Sequence, residues 1–340
     1  MRAVITTGHG GLDRLKPVVD APIPAPMAGE VRVKVAAAAV NNTDLWSREG
    51  RYGTADDPTA IVGWRGVPLE FPRIQGGDGA GRIEAVGDGV DPARIGERVL
   101  VDPAIYEPDT DDGIPTWIMG SEFDGAFAEY LVVRADRAHD VSQSPLSDVE
   151  LACLPIAYGT AMGMLERAGF EAGERVLITG ASGGVGLAAV QLAAARGCEV
   201  VASTSESKVE LVMANGASAV RIRGDDQLEA LGPFDAVAEV VGGGEFGSLV
   251  AALRPAGRLV VCGAIAGPVV EIDLRRLYLE QRRIIGSTMH TPAHFRLLVE
   301  AARTGAIKPV VAATYPLEGI AAAQEMFMAK GFTGKIVLEI

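Results

Sequence analysis

The sequence predicts an α/β protein of two domains, a β-rich domain followed by a doubly wound parallel sheet. Its 340 residues are enough for roughly two domains at about 150 residues each. In the first part, short apolar or alternating runs at 31–35, 81–86, 98–101 and 129–133 sit between Gly and Pro punctuation, as in a turn-rich β domain. From about residue 151 the texture changes to strand, helix, strand, helix, the pattern of a parallel sheet with helices on both faces.

Taken in order, the first element is a strand opening at Met1-Arg2-Ala3-Val4-Ile5. Pro22-Ile23-Pro24-Ala25-Pro26 follows as an extended connector, because each proline fixes its own φ and biases the residue before it. Residues 51–72 form a long loop carrying Trp64 and Phe71, which either lines a site or is a surface excursion. The acidic stretch 106–113 reads as a solvated loop. Strands are expected at 175–179, 199–203, 234–241, 257–262 and 283–287, with helices at 185–196, 208–215 and 247–253. The last fifty residues return to helix and short strand, closing with Gly334-Lys335-Ile336-Val337-Leu338.

Composition excludes several function classes. A 48% hydrophobic content supplies a full core, and 31 basic against 44 acidic residues leave a net charge of −13, which argues against nucleic acid as a partner. Cys153, Cys198 and Cys262 are too few and too scattered for a disulfide framework or a Cys-x-x-Cys site, and read as small buried hydrophobes. No apolar run approaches the ~18–20 residues of a membrane helix, and the N-terminus has no secretory stretch, so no membrane partner is expected and the cytoplasm is the expected compartment. His9, His139, His290 and His294 show no metal-ligand spacing and read as lone exposed side chains, Pro292 interrupting the last pair.

The sharpest local signal is Ile178-Thr179-Gly180-Ala181-Ser182-Gly183-Gly184-Val185-Gly186, at the junction of the first strand and helix of the alternating series. Gly183 and Gly184 let the backbone approach a pyrophosphate, which the amides of Ser182 to Val185 and the positive helix end then face; Gly186 lets the helix lie close to the strand. NAD-binding chains place an acid at the end of the second strand, ~20 residues on. Here Ser203-Thr204-Ser205-Glu206-Ser207-Lys208 offers hydroxyls and a lysine, and Arg223 follows the next short strand. Ser205, Lys208 and Arg223 therefore suit a 2′-phosphate and point to NADPH, while Glu206 keeps NADH open.

With Gly76-Gly77-Asp78-Gly79-Ala80-Gly81, Val86-Gly87-Asp88-Gly89-Val90, Gly96-Glu97-Arg98-Val99 and Gly125-Ala126-Phe127-Ala128-Glu129-Tyr130 added in order, the chain resembles the medium-chain dehydrogenase/reductase family over nearly its whole length. Within that family it is most similar to the zinc-free quinone oxidoreductases. The resemblance implies a GroES-like catalytic β domain over 1–150, completed by 290–340, and a Rossmann NADP-binding domain over 151–289, with the active cleft at their junction. It also implies a homodimer or homotetramer, often assembled through Rossmann-domain edges.

The departures from the family pattern carry the functional expectation. Where zinc alcohol dehydrogenases of this family hold their metal with cysteine, histidine and cysteine, this chain has Asn41, Gly77 and a residue near Pro155 or Ile156; Cys153 lies off register. No cysteine falls in 85–130, where a structural-zinc lobe would be. The expectation is no zinc. Without a Lewis acid for alcohol oxidation, reduction of a conjugated double bond is favoured, with hydrogen bonds stabilising the enolate or quinol oxygen.

The quinone-reductase pattern then implies the site residues. Asn41 holds either the nicotinamide ribose or the substrate oxygen, Tyr52 offers a phenol to the developing oxyanion, and Asp78 is a third catalytic candidate. Asp44 reads as a structural carboxylate and Trp46 as an apolar wall. Thr160 and the strand-end segments Val241-Gly242 and Gly263-Ala264-Ile265 are further cofactor contacts. The leading expectation is hydride transfer from NADPH to a quinone or other α,β-unsaturated carbonyl. An enoyl-thioester reductase, with Arg48, Arg51 or Arg65 meeting a coenzyme A phosphate, is the enzymatic alternative. A non-catalytic, crystallin-like NADPH-binding protein and a residual alcohol dehydrogenase complete the set.

Overall fold

The computed structural model describes residues 1–52, 69–224 and 228–340; most of the 51–72 stretch, Trp64 and Arg65 included, lies outside the described residues. The chain divides into two compact units, residues 1–156 with 291–340, and residues 157–290. No helix among the described residues is long and apolar enough to cross a membrane.

Along the chain, the first unit begins with β1 (Ala3–Thr6), β2 (Leu15–Val18), β3 (Glu30–Ala39), α1 (Asn42–Arg48), β4 (Arg73–Ile74) and β5 (Ala80–Val86). It continues with β6 (Arg98–Val101), β7 (Ala104–Glu107), β8 (Ile114–Ile118), β9 (Tyr130–Arg134), β10 (Ala138–Asp140) and α2 (Asp148–Leu151). The second unit runs through α3 (Gly159–Ala168), β11 (Arg175–Ile178), α4 (Gly184–Ala195), β12 (Glu199–Thr204), α5 (Val209–Ala214) and β13 (Ala219–Ile222). It ends with α6 (Leu228–Leu231), β14 (Phe234–Glu239), α7 (Phe246–Ala251), β15 (Leu253–Val261), α8 (Leu274–Leu279) and β16 (Arg283–Gly286). The chain then returns to the first unit with α9 (Pro292–Thr304), β17 (Val311–Pro316), α10 (Ile320–Ala329) and β18 (Lys335–Glu339).

The main sheet of the first unit has the order β10-β6-β5-β3-β18-β17, with β9 also on β3. Strand β3 alternates Val31, Val33 and Val35 into the core and then turns into small residues, Ala36 to Ala39. That small-residue end accepts β18, which pairs antiparallel as Val337 to Ala39 and Leu338 to Ala38. Gly334 makes the entry to β18 possible: its φ is +89° and a Cβ there would lie 2.2 Å from the Val310 carbonyl oxygen. Lys335 is thereby delivered to the end of β3. Residues 108–113 of the acidic stretch form the largely exposed loop of the β7–β8 hairpin, as expected, with its first two residues ending β7, and two of its charges meet arginine: Asp109 on Arg134 and Arg137, and Asp111 on Arg296.

In the second unit six parallel strands run in the order β13-β12-β11-β14-β15-β16, the doubly wound arrangement expected from the alternation. Val176, Leu177, Ile178, Val200, Val201, Ala236 and Val237 are buried, as central strands covered on both faces require. The histidine expectation is corrected. His290 is wholly buried, and burial lowers His139 to about 4, the Asp102 charge only partly opposing it. Pro292 does not break a helix but starts α9, behind the Thr291 cap.

Arg258, on β15, closes the C-terminal end of α3. It donates to the carbonyls of Ala168 and Gly169, holds both Glu174 oxygens at 2.7 and 2.6 Å, and lies over the Phe170 ring. Burial pushes Glu174 up, but hydrogen bonds from Arg258 and the Glu171 amide outweigh it and hold the carboxyl below its ordinary value. This contribution is present above the ordinary glutamate range and is lost as pH falls through the lowered value. Arg258→Met is expected to lower stability by about 3 kcal/mol at neutral pH. Urea unfolding should show that difference narrowing below about pH 4.

Candidate active site

In the second unit, the strand β11 passes through Thr179 to Gly183 into α4. Gly186 is dictated by proximity: a Cβ there would lie 2.1 Å from the Gly180 carbonyl oxygen, so only glycine lets the first turn of α4 pack on the loop. Gly183 is the extended N-cap residue, and no side chain caps the helix start. Ser182, Gly183, Gly184 and Val185 are all accessible around it, a backbone cradle fit for the pyrophosphate of a dinucleotide.

The other expected cofactor residues of this unit fall at the carboxyl ends of its strands. Ser205 follows β12, Lys208 ends a short 3-10 turn after it, and the Arg223 amide donates to the Thr204 carbonyl at 2.8 Å. Glu206, the residue favouring NADH, is exposed at the start of that turn. Sequence reasoning passed over Arg221, which is buried, bonds Ser203 and pairs both guanidinium nitrogens with Glu245 at 3.0 Å. Gly242 and the run Gly263, Ala264 and Ile265 are zipped together by Ala266 donating to Val241 and Gly243 to Gly267. The Glu239 carboxylate fixes the first of these segments by accepting from the Val241 and Gly242 amides. Thr160 directs its hydroxyl to the Met289 sulfur at 3.6 Å.

In the first unit, Asn41, Asp44, Trp46, Tyr52 and Asp78 gather with a residue the sequence reading did not single out, Lys335. Asp78 is wholly buried. Its Oδ1 accepts from the Ile156 amide at 2.7 Å, and its Oδ2 accepts from Asn41 Nδ2 at 2.8 Å and lies 3.0 Å from Lys335 Nζ. Lys335 Nζ also donates to Asn41 Oδ1 and to the Val40 carbonyl, which uses all three of its hydrogens. Asp78 is thus committed to holding partners, as a positioning group. The one hint of Lys335 in the sequence was a lysine just ahead of the apolar run Ile336-Val337-Leu338.

Asp44 caps the start of α1 by accepting from the Asn41 amide at 2.7 Å. Burial, with the neighbouring Asp78 charge, raises it to about 7. Tyr52 sits edge-on to Trp46, with ring centroids 6.0 Å apart. Burial and the Asp44 charge push its phenol up to about 12, so it stays protonated as a hydrogen-bond donor. Of the arginines considered as thioester anchors, Arg48 is corrected: it is 1% exposed and bonds Gln324 and the Gly10 carbonyl from the interior. Arg51 is exposed and paired with Glu49.

Known proteins match this architecture along its length. The description "Alcohol dehydrogenase GroES-like domain" matches residues 27–143, and "Zinc-binding dehydrogenase" matches 184–304. Human quinone oxidoreductase is 32% identical over 99% of this chain and 97% of its own length. The chain belongs to the medium-chain dehydrogenase/reductase superfamily. Acryloyl-coenzyme A reductase of Metallosphaera sedula is 30% identical over 99% of each chain. A solved structure from Sinorhizobium meliloti, described as a candidate alcohol dehydrogenase, is 50% identical over the whole of this chain and 96% of that one, with a TM-score of 0.93. The protein is accordingly an oxidoreductase with a GroES-like domain and a Rossmann-type dinucleotide-binding sheet.

The superfamily includes zinc enzymes, and the residues of the first unit do not fit that metal. Asn41 presents an amide, Gly77 has no side chain, and Ile156 is apolar. A Cβ at Gly77 would lie 3.1 Å from Ile156 Cδ1, so Ile156 fills the volume a ligand side chain at 77 needs. Lys335 adds a positive charge at the carboxylate a metal would require. Among the described residues, no three His, Cys, Asp or Glu side chains gather as a metal site. Cys153 is buried, and burial pushes its thiol up to about 12, opposed in part by Lys335.

The nucleotide cradle yields a direct test. Gly186→Ala places a methyl against the Gly180 carbonyl and should weaken dinucleotide binding at least about tenfold, as one misplaced loop amide bond to a charged group implies. Dinucleotide fluorescence titration checks it, with Gly331→Ala, a glycine with open space around it and no left-handed backbone, as a comparison.

Proposed function

We propose that this protein is a zinc-independent oxidoreductase that transfers hydride from NADPH to a quinone or another α,β-unsaturated carbonyl. The observation that carries this reading is the Asn41–Asp78–Lys335 network, an ion pair and an amide where zinc relatives need ligands. Bound NADPH supplies the hydride. The chain's residues do the rest: the Ser182–Val185 backbone holds the pyrophosphate, and Ser205, Lys208 and Arg223 favour the 2′-phosphate.

Hydride addition at the β-carbon leaves negative charge on the carbonyl oxygen, and the Tyr52 phenol donates a hydrogen bond to it. Asp44, with its proton held to about pH 7, is the nearby carboxyl able to keep that phenol supplied. The similarity to an acryloyl-coenzyme A reductase supports a coenzyme A thioester as the second substrate class. The burial of Arg48 weakens it, because an interior guanidinium cannot meet the coenzyme phosphate. The protein further assembles as a homo-oligomer through the β16 edge, where Leu274, Tyr278 and Leu279 on α8 and Ile284 on β16 are exposed.

An NADPH-oxidation assay across quinones, enones and acryloyl-coenzyme A, with and without chelator, tests the reading. Turnover of quinones or enones that survives chelation is expected, and turnover wholly dependent on added zinc sinks it. Tyr52→Phe should lower kcat about 100-fold with little change in NADPH affinity. The rate should fall as pH rises through about 7, where Asp44 loses its proton, and Asp44→Asn should remove that limb of the profile. Arg223→Ala should raise the KM for NADPH about tenfold and leave that for NADH unchanged.

A further inference from the structure

We propose that Glu245 is a built-in competitor for the 2′-phosphate of the dinucleotide: its carboxylate faces Arg223, the cation that phosphate would use, and so limits how strongly the protein prefers NADPH to NADH. The inference rests on the NADPH reading above and deepens it. Hydrogen bonds within the second unit tie the cluster to the nucleotide cradle. The Ala181 amide, in the glycine loop, donates to the Ser203 carbonyl at 3.1 Å. The Ser203 hydroxyl accepts from Arg221 Nη1 at 3.3 Å across the β12–β13 pairing. The Arg223 amide donates to the Thr204 carbonyl at 2.8 Å, which holds Arg223 at the carboxyl end of β12. In a doubly wound sheet the ribose of the adenosine half lies at that strand end once the pyrophosphate rests on the glycine loop.

Glu245 reaches the same place from the turn between β14 and α7. Arg221 holds it fork to fork, with Nη1 and Nη2 each 3.0 Å from a carboxylate oxygen. Arg221 is itself buried, so the carboxylate is fixed in position. The hydrogen bond from Arg221 keeps the Glu245 carboxyl below its ordinary value against partial burial, and the Arg221 charge, the Gly224 amide and the Arg223 charge add to it. Glu245 is therefore an anion at neutral pH, set beside a second arginine that is exposed.

The two arginines have different duties. Arg221, committed to Ser203 and Glu245 from the interior, is a positioning residue that acts through the carboxylate. Arg223 is the one open to a ligand. A phosphate monoester arriving at Arg223 meets a carboxylate already facing that cation, and two anions sharing one cation repel. A ribose without the phosphate brings no charge and meets no such opposition. Glu245 thus acts on the discrimination between the two dinucleotides and leaves their common part alone.

The experiment measures the affinity of the full chain for NADPH and for NADH by fluorescence titration at low and high salt, with the thermal midpoint of each variant. Glu245→Gln removes the charge and keeps the shape. It should tighten NADPH about tenfold and leave NADH unchanged, the scale of one fixed charge taken from beside a phosphate. The gain should shrink at high salt, because both charges are partly exposed. Glu245→Gln leaves Arg221 unpaired in the interior, so Arg221→Gln/Glu245→Gln accompanies it and removes both charges together. The double variant should melt near the parent and keep the NADPH gain, and adding Arg223→Ala should abolish that gain.

A folded double variant with the parental ratio of NADPH to NADH affinity overturns the proposal, as does a gain shared equally by NADH or a full gain that survives Arg223→Ala. A parent that prefers NADH, with NADPH still tightened by Glu245→Gln, sinks the NADPH reading alone. Absence of quinone and enone turnover in the parent would sink the reductase reading alone, because the affinity comparisons stand without it.

Discussion

An ammonium buried in a protein interior is costly unless every hydrogen finds an acceptor and a counter-charge stands close by. Lys335 meets both conditions, with Asp78 as counter-ion and Asn41 and the Val40 carbonyl as further acceptors. Much of the first unit follows from that requirement. The alanines ending β3 let β18 approach, and Gly334 turns the chain so that Lys335 enters the interior. The glycine-rich turn before β5 brings Asp78 in from the other side, and the Ile156 amide fixes its second oxygen.

Two aspartates of the same unit illustrate how partners, rather than residue type, set chemical behaviour. Asp78 faces a lysine and two further donors, the Ile156 amide and the Asn41 carboxamide, and is spent on holding them. Asp44 faces neutral amides and another carboxylate, so burial raises it to about 7 and its proton becomes available near neutrality. Tyr52 inherits its persistence as a phenol from the same apolar surroundings and from the Asp44 charge. The first unit in this way holds together a fixed positive charge, a labile proton and a permanent donor.

The elements that were legible in the sequence are those governed by local physics. The junction at Gly180 to Gly186 could be read because tight turn, close approach and helix start all demand glycine within a few residues. The alternation of strand and helix likewise announced the parallel sheet. Lys335 was not legible, since its meaning depends on Asp78 and on Asn41, the latter 294 positions away. Asp44 reads as structural and does cap α1, while the burial that shifts it is tertiary and leaves no mark in the sequence. The interior places of His290 and Arg48 are hidden for the same reason: a polar side chain carries no mark of the cavity that will enclose it.

The insertion of one unit within the other has a bearing on biosynthesis. All six strands of the Rossmann-type sheet are contiguous in the chain, so that sheet can fold as soon as its own segment leaves the ribosome. The GroES-like unit is different, for Asn41 and Asp78 are made early and their cation arrives only with β18. Until then a buried carboxylate has no counter-ion, and the half-made domain has reason to stay open. Nascent chains of this protein should thus acquire nucleotide affinity in their second unit before the first one closes.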